Sequence, residues 1–314
     1  MNALKAGLDV ISTHLSLLIL PLALDALLWF GPRLSVQKMF TATLEQIAAF
    51  YARNGVPFEE LVNFQEKFTE GMQHLNLLGA LRTFPVGVSS LMTSKMPVNN
   101  PFGMQSVIEV GSIGNFTVWF FLLTLVGWAL GGLYFNAVSG VIGNRETAFG
   151  SGRAVAQTLL FSAVFTMLTF AIGLPVMLVL VIISQINATI MQVAVFALAL
   201  FSAWVIVPIF FAPHGMYLRG QNALYSMYAS LRMARFTLPT SSMFVLVVFI
   251  ISQGLNFLWK VPPENSWMML VGIAGHAFIT TSLLAASFIY YRDMNAWLEL
   301  VFERLKPGTA APQT

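Results

Sequence analysis

The chain of 314 residues contains no cysteine, and only 9% of its residues are charged. Without cysteine, it cannot form disulfides, thiolate nucleophiles or cysteine-ligated metal sites. A soluble domain carries about 25% charged residues, so the composition argues against an ordinary soluble fold. The formal net charge is +3 and the basic residues are spread along the chain, which leaves no basic patch for nucleic acid.

The sequence also lacks the short motifs with which common enzymes bind phosphate, nucleotides or zinc. It has no phosphate-binding loop, no G-x-S-x-G turn, no H-E-x-x-H pair and no dinucleotide fingerprint. His14, His74 and His214 show no metal-ligand spacing with one another. We therefore expect no enzymatic activity, no cofactor and no bound metal.

What the sequence does contain is long apolar runs, and 57% of its residues are hydrophobic. Uncharged runs of about 20 residues predict membrane-spanning helices, and these runs do not alternate as barrel strands do. The predicted fold class is all-α: a polytopic integral membrane protein with a six-span helical bundle. The six runs cover about residues 10–30, 116–142, 154–184, 188–213, 238–259 and 267–291.

The predicted domains follow from these runs. Residues 1–30 form the first span, residues 31–115 lie outside the bilayer, residues 116–291 form a five-span bundle, and residues 292–314 form a tail that begins as a helix. The 31–115 segment holds 12 of the 29 charged residues. Its apolar periodicity predicts two amphipathic helices, about 36–53 and 58–78, before an irregular, proline-containing connector over 82–114.

Basic residues in short loops predict the orientation of the spans. The loops after the second and fourth spans hold five, whereas the opposite loops hold one. This asymmetry places both termini in the cytoplasm and the 31–115 segment outside. The five residues are Arg145, Arg153, Arg219, Arg232 and Arg235, and the one on the opposite side is Lys260.

Residues 219–236, with the sequence RGQNALYSMYASLRMARF, predict a short basic helix on the cytoplasmic membrane surface. Its apolar residues recur at i, i+3, i+4 and i+7, which gives one continuous helical face. With its arginines at the headgroups, this helix would bind the bilayer, including anionic lipids. A solvated helix that only joins two spans remains the alternative. The proposed surface residues are Arg219, Arg232, Arg235, Leu224, Met227, Tyr228 and Leu231.

Polar residues inside predicted spans are candidates for function because burying them in lipid is costly. Asp25 lies near the outer end of the first span, where it could instead bond the 31–115 segment through Arg33 or Arg82. His276, near the middle of the sixth span, could relay protons, or could bond polar neighbours in a packing role. Gln253 and Asn256 on the fifth span are its expected partners.

Gly127 and Gly131 form a GxxxG pair in the second span, which Gly132 extends. Small residues at this spacing allow close approach between helices. We interpret the pair as a packing surface.

Two stretches, ALYSMYASLRMARF (residues 223–236) and TTSLLAASFIYYRDM (residues 280–294), carry a resemblance to known proteins. They resemble the YciC-like bacterial membrane proteins and the membrane domain that accompanies some glycerophosphodiester phosphodiesterases. The resemblance covers about the last 170 residues. It implies a six-span bundle in a bacterial inner membrane and no assigned activity, since the soluble catalytic domain has no counterpart here.

These observations favour a non-enzymatic structural, accessory or assembly component of a bacterial inner membrane, with other membrane proteins as partners besides lipid. The alternative is a transporter or lipid-handling protein, which needs a polar cavity between spans and helices broken at midplane. Gly173 and Pro175 in the third span are the hint of such a break, because a helix tilts or kinks at such residues.

Overall fold

The structure is a computed structural model that describes residues 2–53, 58–143 and 150–304. It is dominated by α-helix, and five helices are long and apolar enough to cross a membrane, or six if a bent pair near the amino terminus counts as one span. The predicted all-α membrane fold is therefore confirmed. Arg145 lies outside the described residues.

The first third of the chain alternates short elements. They are α1 (Asn2–Thr13), a 3₁₀ turn (Leu15–Leu18), α2 (Ile19–Phe30), β1 (Arg33–Ser35), α3 (Gln37–Arg53), α4 (Phe58–His74), a second 3₁₀ turn (Leu77–Leu81), α5 (Met92–Lys95), β2 (Asn99–Asn100), β3 (Gly103–Met104) and β4 (Val107–Glu109). Five long helices follow: α6 (Ile113–Ile142), α7 (Ser151–Ile186), α8 (Ala188–Arg219), α9 (Ala223–Trp259) and α10 (Met269–Arg304).

The first predicted span is not one straight helix. The chain bends by 93° between α1 and the segment Leu15–Phe30. Thr13 Oγ1 donates to the Val10 carbonyl oxygen (2.9 Å), and His14 Nδ1 lies 2.9 Å from the same oxygen. These side chains compete with the backbone for the carbonyls that would continue α1, which accounts for the break. The break could not be predicted from the sequence, because the apolar run continues through it.

The chain divides into two compact units. Unit 1 comprises Met1–Leu17, Gly132–Ser252 and Ile279–Thr314, and unit 2 comprises Leu18–Gly131 and Gln253–Phe278. The core of unit 1 is aromatic, with Phe211 and Phe288 fully buried and Tyr217 and Tyr291 nearly so. Small polar side chains are buried around these rings.

The predicted surface helix 219–236 is not a separate element. α8 ends at Arg219, and residues from Ala223 onward are the first turns of α9, which continues unbroken to Trp259. On this part of α9 the serines face inward: Ser226 Oγ donates to the Ala212 carbonyl and Ser230 Oγ to the Pro208 carbonyl. Small hydroxyl side chains allow close approach between helices and bond across the contact, so the polar face is the packed one.

α7 and α8 form a long antiparallel hairpin in unit 1. α7 runs unbroken through Gly173 and Pro175, so the predicted kink does not interrupt the helix. The turn at Asn187 falls between the two predicted runs 154–184 and 188–213. The Asn187 side chain caps α8 by accepting from the backbone N–H groups of Thr189 (2.8 Å) and Ile190 (3.1 Å).

Unit 2 contains the 31–115 segment and the ends of α9 and α10 that lie next to one another in sequence. β1 pairs in parallel with β4, with Ser35 opposite Glu109, and β2 pairs antiparallel with β3. The predicted irregular connector thus includes α5 and three short strands. The two amphipathic helices are present as α3 and α4, and they meet where the rings of Phe40 and Phe68 lie 6.3 Å apart.

Candidate functional site

Asp25 on α2 is completely buried in unit 2. Its carboxylate accepts three hydrogen bonds from the start of α5: from Ser90 Oγ (2.6 Å), from the backbone N–H of Met92 (3.0 Å) and from that of Leu91 (3.2 Å). A carboxylate at a helix start satisfies N–H groups that have no partner within the helix. Asp25 therefore bonds the 31–115 segment, as one of the two sequence interpretations expected.

The partners of Asp25 differ from those expected from the sequence. The bonds come from Ser90 and the backbone, and neither Arg33 nor Arg82 forms a described ion pair with it. Arg82 is near enough to act electrostatically on the carboxylate. The sequence held one signal for this arrangement: Ser90 lies two residues before Met92, at the kind of position that begins a helix.

The carboxyl end of α2 is capped by two amide side chains. Gln105 Nε2 donates to the Leu28 carbonyl (2.9 Å) and to the Trp29 carbonyl, and Asn100 Nδ2 donates to the Trp29 carbonyl (3.2 Å). The last carbonyls of a helix lack intrahelical donors, so these amides satisfy groups that would otherwise be buried without a partner. The β2–β3 hairpin is thereby fixed against the end of α2.

Glu264, in the turn between α9 and α10, holds a second polar contact in unit 2. Its carboxylate accepts from the backbone N–H groups of Val98 (3.3 Å) and Asn99 (3.2 Å), and its carbonyl accepts from Trp29 Nε1 (2.8 Å). Lys95 Nζ donates to the Lys260 carbonyl (2.7 Å) in the same turn. Burial lowers the pKa of Lys95, and the negative charge of Glu264 partly opposes this shift.

The four predicted intramembrane polar residues all belong to unit 2. Asp25 is used as a cap, His276 is buried on α10, Asn256 is half-buried and Gln253 is exposed. Unit 2 also has a pocket of about 200 Å³, and none of the four lines it. Its lining residues are Leu28, Leu75, Asn76, Gly79, Met92, Thr93, Met96 and Pro97.

Gly127 and Gly131 pack against the connector of the 31–115 segment. A Cβ at Gly127 would lie 2.5 Å from the Leu81 carbonyl oxygen, and one at Gly131 would lie 2.7 Å from the Gly87 Cα. Both distances are below van der Waals contact, so only glycine fits. The expected packing role is therefore present, but the partner is a loop and not a second helix.

The predicted membrane-surface residues are mostly exposed in the structure. Leu224, Tyr228 and Leu231 form an outward stripe on α9 with exposed fractions of 56%, 62% and 48%. Met227 is half-buried, and Arg232 and Arg235 are exposed. Arg219, on the preceding helix, forms an ion pair with Glu299 of α10.

Sequence reasoning did not find the buried polar pairs of unit 1. His214 Nε2 lies 2.7 Å from Ser287 Oγ, and the Tyr217 hydroxyl contacts the Thr158 hydroxyl. A histidine–serine pair can act as base and nucleophile when a substrate reaches it. Here His214 is 2% exposed and Ser287 is 1% exposed, so the pair joins α8 to α10 within a packed core.

No metal site is found among residues 2–53, 58–143 and 150–304, because no three His, Asp or Glu side chains in those ranges converge as ligands. No family model, curated protein or solved structure matches the chain. The resemblance of its last 170 residues to YciC-like membrane proteins therefore stays a prediction.

Proposed function

We propose that this chain is a non-enzymatic, multi-pass component of a bacterial inner membrane, with a structural, accessory or assembly role toward other membrane proteins. The observation that carries the proposal is the outer part of the α7–α8 hairpin. In the most apolar window of α7, no residue is buried.

The exposed surface surrounds both helices of the hairpin. Phe170 and Met177 on α7 are 60% and 63% exposed, and Phe196 and Phe201 on α8 are 65% and 69% exposed. A helix that is apolar on all sides needs lipid or protein around it. The hairpin therefore offers a long lateral surface, of about 30 Å for 20 residues, on which a second membrane protein can pack.

The use of Asp25 as a cap favours a structural role over transport. A transporter needs polar groups that face a cavity between spans. The three hydrogen bonds that the structure records for the Asp25 carboxylate come from Ser90, Leu91 and Met92. α7 continues through Pro175 as one helix, which supports a structural role over a span broken at midplane.

We infer cytoplasmic termini from the basic residues of the short loops, and contacts within each unit agree with the grouping of loops that this orientation requires. In unit 2 the turn after α9, predicted external, bonds the 31–115 segment through Glu264 and Lys95. In unit 1 the ends predicted to be cytoplasmic are joined, since Arg292 of α10 donates to the Ile142 carbonyl (3.4 Å) at the end of α6.

We expect cysteines introduced at Lys5 and Arg304 to react with an impermeant maleimide from the cytoplasmic side, and one at Glu66 from the opposite side. The chain has no native cysteine, so each variant reports a single position. Labelling of sealed vesicles before and after lysis provides the measurement. Labelling of Glu66→Cys and Arg304→Cys from the same side would contradict the topology.

Photo-crosslinking in living cells tests the accessory role. A photoreactive amino acid at Phe196 or Met177 should give a discrete adduct with one membrane protein. The same group at Phe249, which is 58% exposed on α9, serves as the matched control and should give lipid adducts alone. Lipid adducts alone at all three positions would argue against a protein partner on the hairpin.

A further inference from the structure

An exposed aromatic surface lies at the end of unit 2 where α2 finishes and α10 begins. Phe102, at the tip of the β2–β3 hairpin, is 78% exposed, and Met104 is 79% exposed. The Phe102 ring lies 5.7 Å from that of Phe30 and 5.3 Å from that of Trp267. Trp29 lies beneath these rings and is completely buried. We call Phe30, Phe102, Met104 and Trp267 the aromatic anchor.

The aromatic anchor is held in a fixed position. The Asn100 side chain links the hairpin tip to α2. Its Oδ1 accepts a hydrogen bond from the Phe102 N–H (2.8 Å), and its Nδ2 donates one to the Trp29 carbonyl. Gln105 and Glu264 hold the two flanks of the hairpin, through the end of α2 and through Asn99. These hydrogen bonds fix the loop in place and keep its large apolar side chains on the surface. An exposed apolar surface of this kind is normally covered by lipid or by another protein.

The position of the anchor indicates which of the two covers it. Two members of the anchor lie at helix ends: Phe30 is the last residue of α2, and Trp267 lies just before α10, which is one of the helices able to cross a membrane. Aromatic side chains at the ends of spans lie at the headgroup level of a bilayer. The exposed apolar surface of α10 continues from the anchor through Leu270 and Val271.

We propose that the aromatic anchor is a preformed lipid-binding surface that inserts into the headgroup region of a phospholipid bilayer and sets the depth of unit 2. The inference rests on the proposed membrane role and adds the surface that contacts the headgroups. The hairpin residues 98–104 carry no charge, and the nearby Lys95 and Glu264 are bonded within the unit. The uncharged hairpin therefore does not require anionic lipid for insertion, unlike the binding predicted for the exposed arginines of α9.

Spin labels measure this depth directly, because the chain has no other cysteine. Phe102→Cys and Met104→Cys are labelled separately in phosphatidylcholine bilayers, with and without phosphatidylglycerol. Collisions with oxygen and with a water-soluble nickel chelate report the position of each label. We expect both labels to lie about 5–10 Å below the phosphates in either lipid, which is the depth of interfacial apolar side chains.

Two reference labels separate the possible failures. A label at Glu66→Cys, exposed on α4, gives the collision rates expected in water. A label at Met177→Cys on α7 gives the collision rates expected inside the bilayer. An aqueous value at Met177 would overturn the membrane placement itself. With Met177 in lipid, an aqueous value at Phe102 and Met104, or protection from both reagents by a covering protein, would overturn the anchor alone.

A second variant tests whether an apolar side chain at the tip of the hairpin is responsible. Phe102→Asp in the protein labelled at Met104 should raise the collision rate with the nickel chelate severalfold, since a charge at the tip withdraws the hairpin toward water. Phe102→Leu should leave the rate unchanged. Equal rates in the aspartate and leucine variants would show that the tip does not hold the hairpin in lipid.

Discussion

Asp25→Leu is expected to lower the free energy of unfolding by about 3 kcal/mol or more. The substitution leaves the N–H groups of Leu91 and Met92 and the Ser90 hydroxyl without their acceptor in a fully buried place. Each buried donor left unsatisfied costs about 1–3 kcal/mol. Asp25→Asn should lower the free energy of unfolding by less, because its amide oxygen still accepts a hydrogen bond. Some loss should remain, since its NH₂ group would face the other donors.

Thermal unfolding in detergent micelles, followed by near-ultraviolet circular dichroism, measures this loss. Asp9→Leu is the matched control: Asp9 is exposed on α1, so the same change in side chain should cost no more than about 0.5 kcal/mol. If Asp25→Leu and Asp25→Asn both unfold like the native chain, the capping role is wrong. If these variants then failed to replace the native protein in cells while remaining as stable, a role of Asp25 in transport would be favoured.

The long helices could be predicted because the length of each uncharged apolar run is read directly from the sequence. The runs 116–142, 154–184 and 188–213 correspond to α6, α7 and α8, each a few residues longer than predicted. Asn187 was recognisable as a turn because it interrupts two uncharged runs and can cap the next helix. The attachment of Asp25 to the 31–115 segment was one of the two interpretations that its position near the end of an apolar run allowed.

The predicted apolar stripe is present on the first turns of α9, whereas the short separate surface helix is not, because α9 continues to Trp259. Leu224 and Leu231 are exposed on that stripe, so their binding to the membrane surface stays a prediction. In a membrane bundle, large apolar residues can face lipid, and small polar ones bond between helices. The serines are consequently buried against α8, and the leucines are exposed.

The polar contacts of unit 2 depend on residues far apart in sequence. Gln105 caps α2 across 77 residues, and Lys95 reaches the Lys260 carbonyl across 165. No local pattern marks these residues, because Gln, Lys and Glu are common in exposed loops. Similarly, the spacing of Gly127 and Gly131 predicts close approach, but cannot identify the partner as the Leu81–Gly87 connector.

Gly131→Leu is expected to have the second large effect. The new Cβ would lie 2.7 Å from the Gly87 Cα and 2.8 Å from its backbone nitrogen, so the connector has to move away from α6. Overpacking of this kind costs about 1–3 kcal/mol, and more when backbone has to shift. We expect a loss of about 3 kcal/mol, together with faster proteolysis within residues 81–87.

Gly140→Ala on the same helix is the matched control, and its effect should have the opposite sign. No atom lies within 4 Å of the position of a Cβ at Gly140. Alanine is favoured over glycine inside a helix by about 0.5–1 kcal/mol, so this variant should be slightly more stable than the native chain.

Equal stability of Gly131→Leu and Gly140→Ala would contradict the packing of α6 on the connector. A stable Gly131→Leu protein with rapid cleavage in the connector would instead mean that docking of this loop contributes little to the fold. Loss of stability in Gly131→Leu and a gain in Gly140→Ala would establish that the glycine pair of α6 acts through the connector, since both changes alter helix propensity in the same direction.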